Sequence, residues 1–360
     1  MSSLLALTAL LTSLGATDSV PAAVAHFDRM VAAARATLAA DDGRFWGARL
    51  DRVEWMAVLR TPDGGARAYL TARPAGGGGG DATGYERIDA GPLALWSGAL
   101  PPGTAPANTA VEWGGRRWAT VVLPLPSDSA DAVRLLVHEA MHTLQGRDAG
   151  ALLPSPAYAE GGSGEALLDR PEGRVWLQLE ERALHAALLA PSQSSRQRAL
   201  LDALLFRARR YAAASPNERV RERALDVSEG LPEYTAWALT AGTGAAGARA
   251  FAPSLERAAA QTSYVRAFPY ATGPAYAFLV DRSLSGWRRH VMAHGGAFDL
   301  QQIALTTVAG APPWLAAALG DTGVAAASVP GPLARAADDA AARYGVTALR
   351  AAEEERWATR

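Results

Sequence analysis

The sequence predicts an α+β fold from three stretches: a helical repeat over Val20 to Ala40, strand hairpins over the next hundred residues, and helical periodicity from Ser127 almost to the end. In VPAAVAHFDRMVAAARATLAA the apolar residues recur at three- and four-residue spacing until Asp41-Asp42-Gly43 stops the helix. RVEWMAVLR and ARAYLTARP then flank Pro62-Asp63-Gly64-Gly65, where proline's fixed φ and glycine's tolerance of positive φ suit a chain reversal. A second hairpin reads TAVEW, Gly114-Gly115, RRWATVVLPLP; Pro124 and Pro126 end its strand because proline cannot donate to a ladder. Between the hairpins, the glycine-rich run at 75–84 lacks the Gly-Lys-Ser/Thr ending of a phosphate loop and reads as a solvated linker. Candidate helices follow near 129–146, 171–190, 194–214, 216–240, 272–293 and 333–355, separated by Gly, Pro and Ser clusters. The antiparallel sheet is expected to pack on the first of these helices.

Composition narrows the chemistry. A formal charge of −1 over 360 residues provides no field to gather a polyanion, so nucleic-acid binding gains no support. The absence of cysteine removes disulfides, thiolate metal sites and a cysteine nucleophile, leaving imidazole and carboxylate to hold any metal. Residues 1–19 begin MSSLLALTALLTSLGA, an apolar stretch ending in small residues, as in a signal peptide that exports a protein to the periplasm or beyond. The stretch has no Lys or Arg, which keeps a short buried helix in a cytoplasmic protein as the alternative. No later segment has 18 uninterrupted apolar residues, so no further membrane span is expected. The expected organisation is the 1–19 segment, an α/β lobe at 20–148 and a helical lobe at 149–360.

Within the helix near 129–146, VRLLVHEAMHTLQ puts His138 and His142 four residues apart, on one face and about one turn from each other. Two neutral imidazoles can therefore reach one ion and make half of a tetrahedral zinc site, with Glu139 placed to take a proton from an activated water. Chance would supply this His-Glu-x-x-His pattern only about 0.005 times in a chain of this composition. Ser127, Asp128 or Ser129 can cap the helix, and Asp131 complements its positive end.

A hydrolytic zinc site needs a third protein ligand. In metzincins a glycine and then a histidine complete the extended motif, but Gln145 and Asp148 stand there instead. Asp148 is one candidate. Glu180 or Glu181 in VWLQLEERALHAAL is a second, with an ion pair to Arg174 or Arg182 as the structural alternative for Glu180; Glu229 in DVSEGLPEYTAWAL is the third. The run Glu229-Gly230-Leu231-Pro232-Glu233-Tyr234 resembles the Glu-Gly-x-Ala-x-Tyr segment of gluzincin zinc metallopeptidases, the MA-clan group that contains thermolysin-like enzymes and alanyl-type aminopeptidases. That resemblance implies a zincin-like fold and makes Glu229 the third zinc ligand, with Gly230 letting the metal helix approach closely. Pro232 departs from the family's alanine and places Glu229 near a helix start. The gap from His142 to Glu229 is longer than usual and implies inserted helices near 171–214.

Tyr270-Ala271-Thr272-Gly273 resembles the Tyr-x-x-Gly segment of alanyl-type aminopeptidases, implying that Tyr270 stabilises the oxyanion, with Tyr264 and Tyr234 as substitutes. The family's Gly-x-Met-Glu-Asn segment is absent, so aminopeptidase specificity is not implied. His290 and His294 repeat the four-residue spacing, but Arg288 and Arg289 beside them disfavour a cation. The expected function is zinc-dependent hydrolysis of a peptide or protein, with His138, His142 and Glu229 on the metal and Glu139 and Tyr270 catalytic. Two rivals remain: a non-catalytic secreted helical binding protein that keeps the zincin fold, and a zinc amidase or esterase with a non-peptide substrate.

Overall fold

In a computed structural model, residues 20–74, 84–146, 153–154, 167–294, 298–320 and 331–359 are described. The 1–19 segment, the linker at 75–83 and Asp148 lie outside them, as does the boundary expected between lobes.

The first helix, α1 (Ala22–Asp41), is followed by six strands: β1 (Glu54–Arg60), β2 (Ala66–Leu70), β3 (Glu86–Asp89), β4 (Ala94–Ala99), β5 (Thr109–Trp113) and β6 (Arg116–Val122). They form one open sheet in the order β3-β4-β2-β1-β6-β5. Both expected hairpins are present, β1 with β2 and β5 with β6. The sheet is not wholly antiparallel, however, because β1 and β6 pair in parallel. Parallel neighbours cannot be joined by a tight turn, so the chain spends β3, β4 and their connections on the return.

Alternation of side chains gives the sheet two apolar faces. Trp55, Ala57, Ala119 and Val121 enter the main core with Phe27 and Val31 of α1. Met56, Ala68, Leu70 and Trp118 form a smaller cluster on the opposite face, covered in part by Tyr85, Trp96 and Trp113. The site helix, α2 (Ser129–His142), lies on the main-core face and buries Leu136, Val137, Ala140 and Met141. Each fully buried side chain of Leu or Val size contributes roughly 1.5–3 kcal/mol. The Trp55 indole of β1 also donates to the Leu136 carbonyl at 3.1 Å. Of the three candidate caps, Asp128 accepts from the Asp131 amide at 2.9 Å.

Two short strands follow, β7 (Gln145–Gly146) and β8 (Leu153–Pro154), and then the helical part: α3 (Pro171–Leu189), α4 (Gln193–Tyr211), α5 (Pro216–Ser228), α6 (Gly230–Ala241), α7 (Gly244–Phe251), α8 (Pro253–Ala259), α9 (Pro269–Asp281), α10 (Trp287–His294), α11 (Leu300–Thr306), α12 (Pro313–Leu319), α13 (Gly331–Ala341) and α14 (Val346–Ala358). The single helix expected over 216–240 is broken at Glu229. Pro232 causes this, since its ring cannot donate to the Ser228 carbonyl and would collide with it in a continuous helix. The stretch expected as one helix at 272–293 is likewise two, α9 and α10. Among the described residues no helix is long and apolar enough to cross a membrane.

Candidate metal centre

Three elements converge on one point. The last turns of α2 bring His138 and His142, and the junction of α5 and α6 brings Glu229. Among the described residues, these three side chains are the group able to hold a metal ion. The two Nε2 atoms are 3.1 Å apart, and Glu229 Oε2 lies 3.5 Å from that of His138 and 3.6 Å from that of His142. Ligand atoms bound tetrahedrally at about 2.0–2.1 Å stand about 3.3 Å from one another, so this triangle has the dimensions such an ion requires.

Hydrogen bonds fix which nitrogen of each ring faces the centre. His138 Nδ1 lies 2.8 Å from Glu233 Oε2, and a carboxylate can only accept, so that nitrogen carries the proton. Gln145 donates its amide nitrogen to the Val227 carbonyl at 3.2 Å, which turns its oxygen toward His142 Nδ1 at 2.8 Å. Both rings, when neutral, therefore aim Nε2 lone pairs at each other and at a carboxylate oxygen. Such an arrangement is repulsive unless a cation or proton sits among the three atoms.

The ionisation of the residues expresses the same demand. Burial alone would lower the His138 pKa, but the Glu229 and Glu233 carboxylates outweigh it and raise it to about 10. Burial likewise favours protonation of Glu229, yet the two imidazoles hold its pKa well below the carboxylate range. Glu139 is buried, and this desolvation raises its pKa against the attraction of both histidines. Its Oε2 finds no hydrogen-bond partner.

Tyr270, near the start of α9, donates its hydroxyl to Glu229 Oε2 at 2.7 Å and stacks on His138 with ring centres 5.6 Å apart. Tyr270 is 41% exposed, but desolvation of its hydroxyl, followed by the charge of Glu229, pushes the phenol pKa far up and keeps it protonated. The approach of α6 to α9 needs two glycines. A Cβ on Gly230 would stand 2.7 Å from Gly273 Cα, and one on Gly273 2.6 Å from Gly230 Cα. Gly230 thus serves the approach of α9, rather than that of α2 as the resemblance implied.

The end of α2 is gripped from the sheet. Arg117 of β6 donates to the carbonyls of His142 and Gln145, where a cation suits the helix C-terminus, and also pairs with Glu112 of β5 at 3.1 Å. On the opposite side Trp237 donates its indole N–H to Glu233 Oε1 at 2.9 Å, leaving Oε2 for His138.

The other candidates lie elsewhere. Glu180 is fully buried and committed to Arg207 at 2.6 Å, Arg210 at 2.8 Å and the Tyr276 hydroxyl at 2.8 Å. It is therefore unavailable as a metal ligand, and its partners are neither Arg174 nor Arg182. Glu181 is buried with neither oxygen hydrogen-bonded, and burial raises its pKa strongly. Tyr234 is buried among Phe45, Phe278 and Trp287, its hydroxyl accepting from Arg288, and Tyr264 spends its hydroxyl on the Ala259 carbonyl. Neither joins the centre. His290 lies on α10 beside a separate cavity with Trp287 and Phe298, and belongs to no metal-binding group among the described residues.

Glu233 and Gln145 are the residues of the centre that the motifs did not assign. Sequence spacing held a signal for both: Glu233 is four residues after Glu229, and Gln145 three after His142, so each shares a side of the chain with a ligand. No protein-family profile matches the chain, and no curated protein or solved structure is significantly similar to it.

Proposed function

We propose that the protein is a zinc-dependent metallohydrolase of gluzincin type that cleaves peptide bonds. The observation that carries this reading is the triangle of two Nε2 lone pairs and one carboxylate oxygen, at tetrahedral spacing, beside a buried carboxylate with an unpartnered oxygen. An imidazole-imidazole-carboxylate donor set suits zinc, which when bound would polarise the substrate carbonyl and acidify a water.

The chain's own residues supply the rest. Glu139 receives the proton of the attacking water at its free Oε2 and returns it to the leaving amine; its desolvated, raised pKa makes it the stronger base for the first transfer. Tyr270 stays protonated, so its hydroxyl can leave Glu229 and donate to the carbonyl oxygen as charge builds there. Glu233 and Gln145 hold the two rings in the tautomer that turns Nε2 inward. β5 is an edge strand beside the site helix and offers unpaired backbone groups to an extended substrate.

The test is hydrolysis of a mixed peptide library by protein carrying one zinc per chain, alongside amide and ester substrates that are not peptides. Glu139→Gln is expected to keep the metal and lose about 10²–10⁴-fold in turnover. Near-normal turnover by that variant rules out the proposed base, and cleavage of the non-peptide substrates alone rules out the peptidase.

A further inference from the structure

Beside the metal centre opens a groove of about 1090 Å³; Glu233 and Tyr270, which hydrogen-bond His138 and Glu229, stand on its wall. Its volume exceeds the roughly 300–1,000 Å³ of small-molecule pockets and suits several residues of an extended chain. Three arginines stand on its wall: Arg134, Arg257 and Arg266. Arg134 is already engaged, paired with Asp131 and stacked over Trp237 at 4.2 Å. Arg257 and Arg266 are exposed, and neither has a carboxylate partner among the described residues; Arg257 donates only to the Ser254 hydroxyl, at 2.8 Å. The groove's two acids offer them nothing, because Asp131 is held by Arg134 and Glu233 by His138 and Trp237.

Arg266 has a defined relation to the centre. The Tyr264 carbonyl accepts from the amides of Ala267 and Phe268, winding residues 264–268 into a turn that feeds α9. Arg266 precedes Tyr270 by four residues, and both line the groove. Arg257 faces the groove from α8.

We propose that Arg257 and Arg266 form a subsite for a carboxylate of the substrate, so that the enzyme selects peptides with an acidic group next to the bond it cuts. This rests on the peptidase reading. The carboxylate comes either from an acidic side chain or from the end of the peptide; both present the planar pair of oxygens that a guanidinium binds in bidentate fashion. Because the anchor lies away from the reacting atoms, its binding energy is shared by ground state and transition state and appears mainly in KM.

The experiment uses the zinc-loaded full chain and amidated peptides that carry Glu or Gln at each successive position, with neutral peptides that end in a free acid or an amide. At one position Glu is expected to lower KM about tenfold relative to Gln, or the free acid to do so relative to the amide. Which series responds identifies the source of the carboxylate. The preference should vanish in the double variant Arg257→Gln/Arg266→Gln and turn toward Lys in Arg257→Glu/Arg266→Glu. Calorimetry on Glu139→Gln protein reads the same preference as a binding constant without turnover. Failure to cleave any peptide would refute the peptidase while calorimetry still judges the subsite. Equal handling of acid and neutral peptides, or a preference that survives in the double variant, overturns the subsite itself.

Discussion

Glu180 and Glu139 are both buried glutamates on core helices, and their surroundings are opposite. Around Glu180 the chain supplies its own counter-charges: Arg207 and Arg210 share its two oxygens, and Arg207 also reaches Asp226 at 2.6 Å. Around Glu139 stand Glu229, Glu233 and two imidazoles, and among the described residues no Arg is hydrogen-bonded to any of the three acids. One region is electrostatically closed, and the other could hold a cation. Glu181 shows that an orphaned acid alone does not mark a site: it has burial and unpartnered oxygens, but no lone pairs converge on it from other side chains. Convergence of donors separates a centre from a buried charge.

The sharpest way to break the contrast is to remove each acid. Glu180→Ala takes one carboxylate partner from each of two buried guanidinium groups, leaving Arg207 to Asp226 and Arg210 to Glu222, and should cost about 3–5 kcal/mol of stability while leaving metal stoichiometry unchanged. Calorimetric melting together with metal analysis reads both quantities, and loss of metal with little change in stability would invert the comparison. Glu233→Gln keeps the volume but weakens the acceptor that orients His138, and should loosen metal binding about 10–100-fold by competition with a chelator. Gly273→Ala, with its Cβ meeting the Gly230 backbone, should destabilise by roughly 1–3 kcal/mol and also weaken metal binding, because Glu229 and Tyr270 are displaced together.

Titration separates the regions more gently. In metal-free protein the His138 pKa is raised to about 10 from its usual 6.5. The stability this contributes is fully present below pH 6.5 and is lost as pH rises through about 10. Melting temperature in chelator should therefore fall across that window, and added zinc should reduce the fall, because the ion takes the place of the proton. An unchanged slope with and without zinc would mean that ion and proton do not compete.

Local pattern carried most of the architecture. The helix with His138 and His142, both hairpins and the helices α1, α3 and α4 were legible because periodicity and punctuation agreed over many residues, whereas the stretches expected as single helices at 216–240, 272–293 and 333–355 are each two. Short elements were not: β3 is four residues with largely exposed side chains, and α7, α8, α11 and α12 have seven or eight residues each. The parallel pairing of β1 with β6 is a long-range choice that no local turn encodes. Within the centre, Glu229 and Tyr270 were readable from their neighbours in sequence. The pairing of Glu180 with Arg207 and Arg210 was not, since it joins α3 to α4 across 27 and 30 positions. A glutamate amid apolar residues looks the same in sequence whether it awaits a metal or an arginine.

The direct test is the metal itself. Protein purified without added zinc and then titrated should take up one equivalent per chain, and X-ray absorption should find two imidazole nitrogens and a carboxylate oxygen around the ion. Uptake should disappear in His138→Ala and in Glu229→Ala but persist in Glu180→Ala. A chain that binds no ion tightly, or that binds it equally well without His138 and Glu229, would contradict the assignment of this centre.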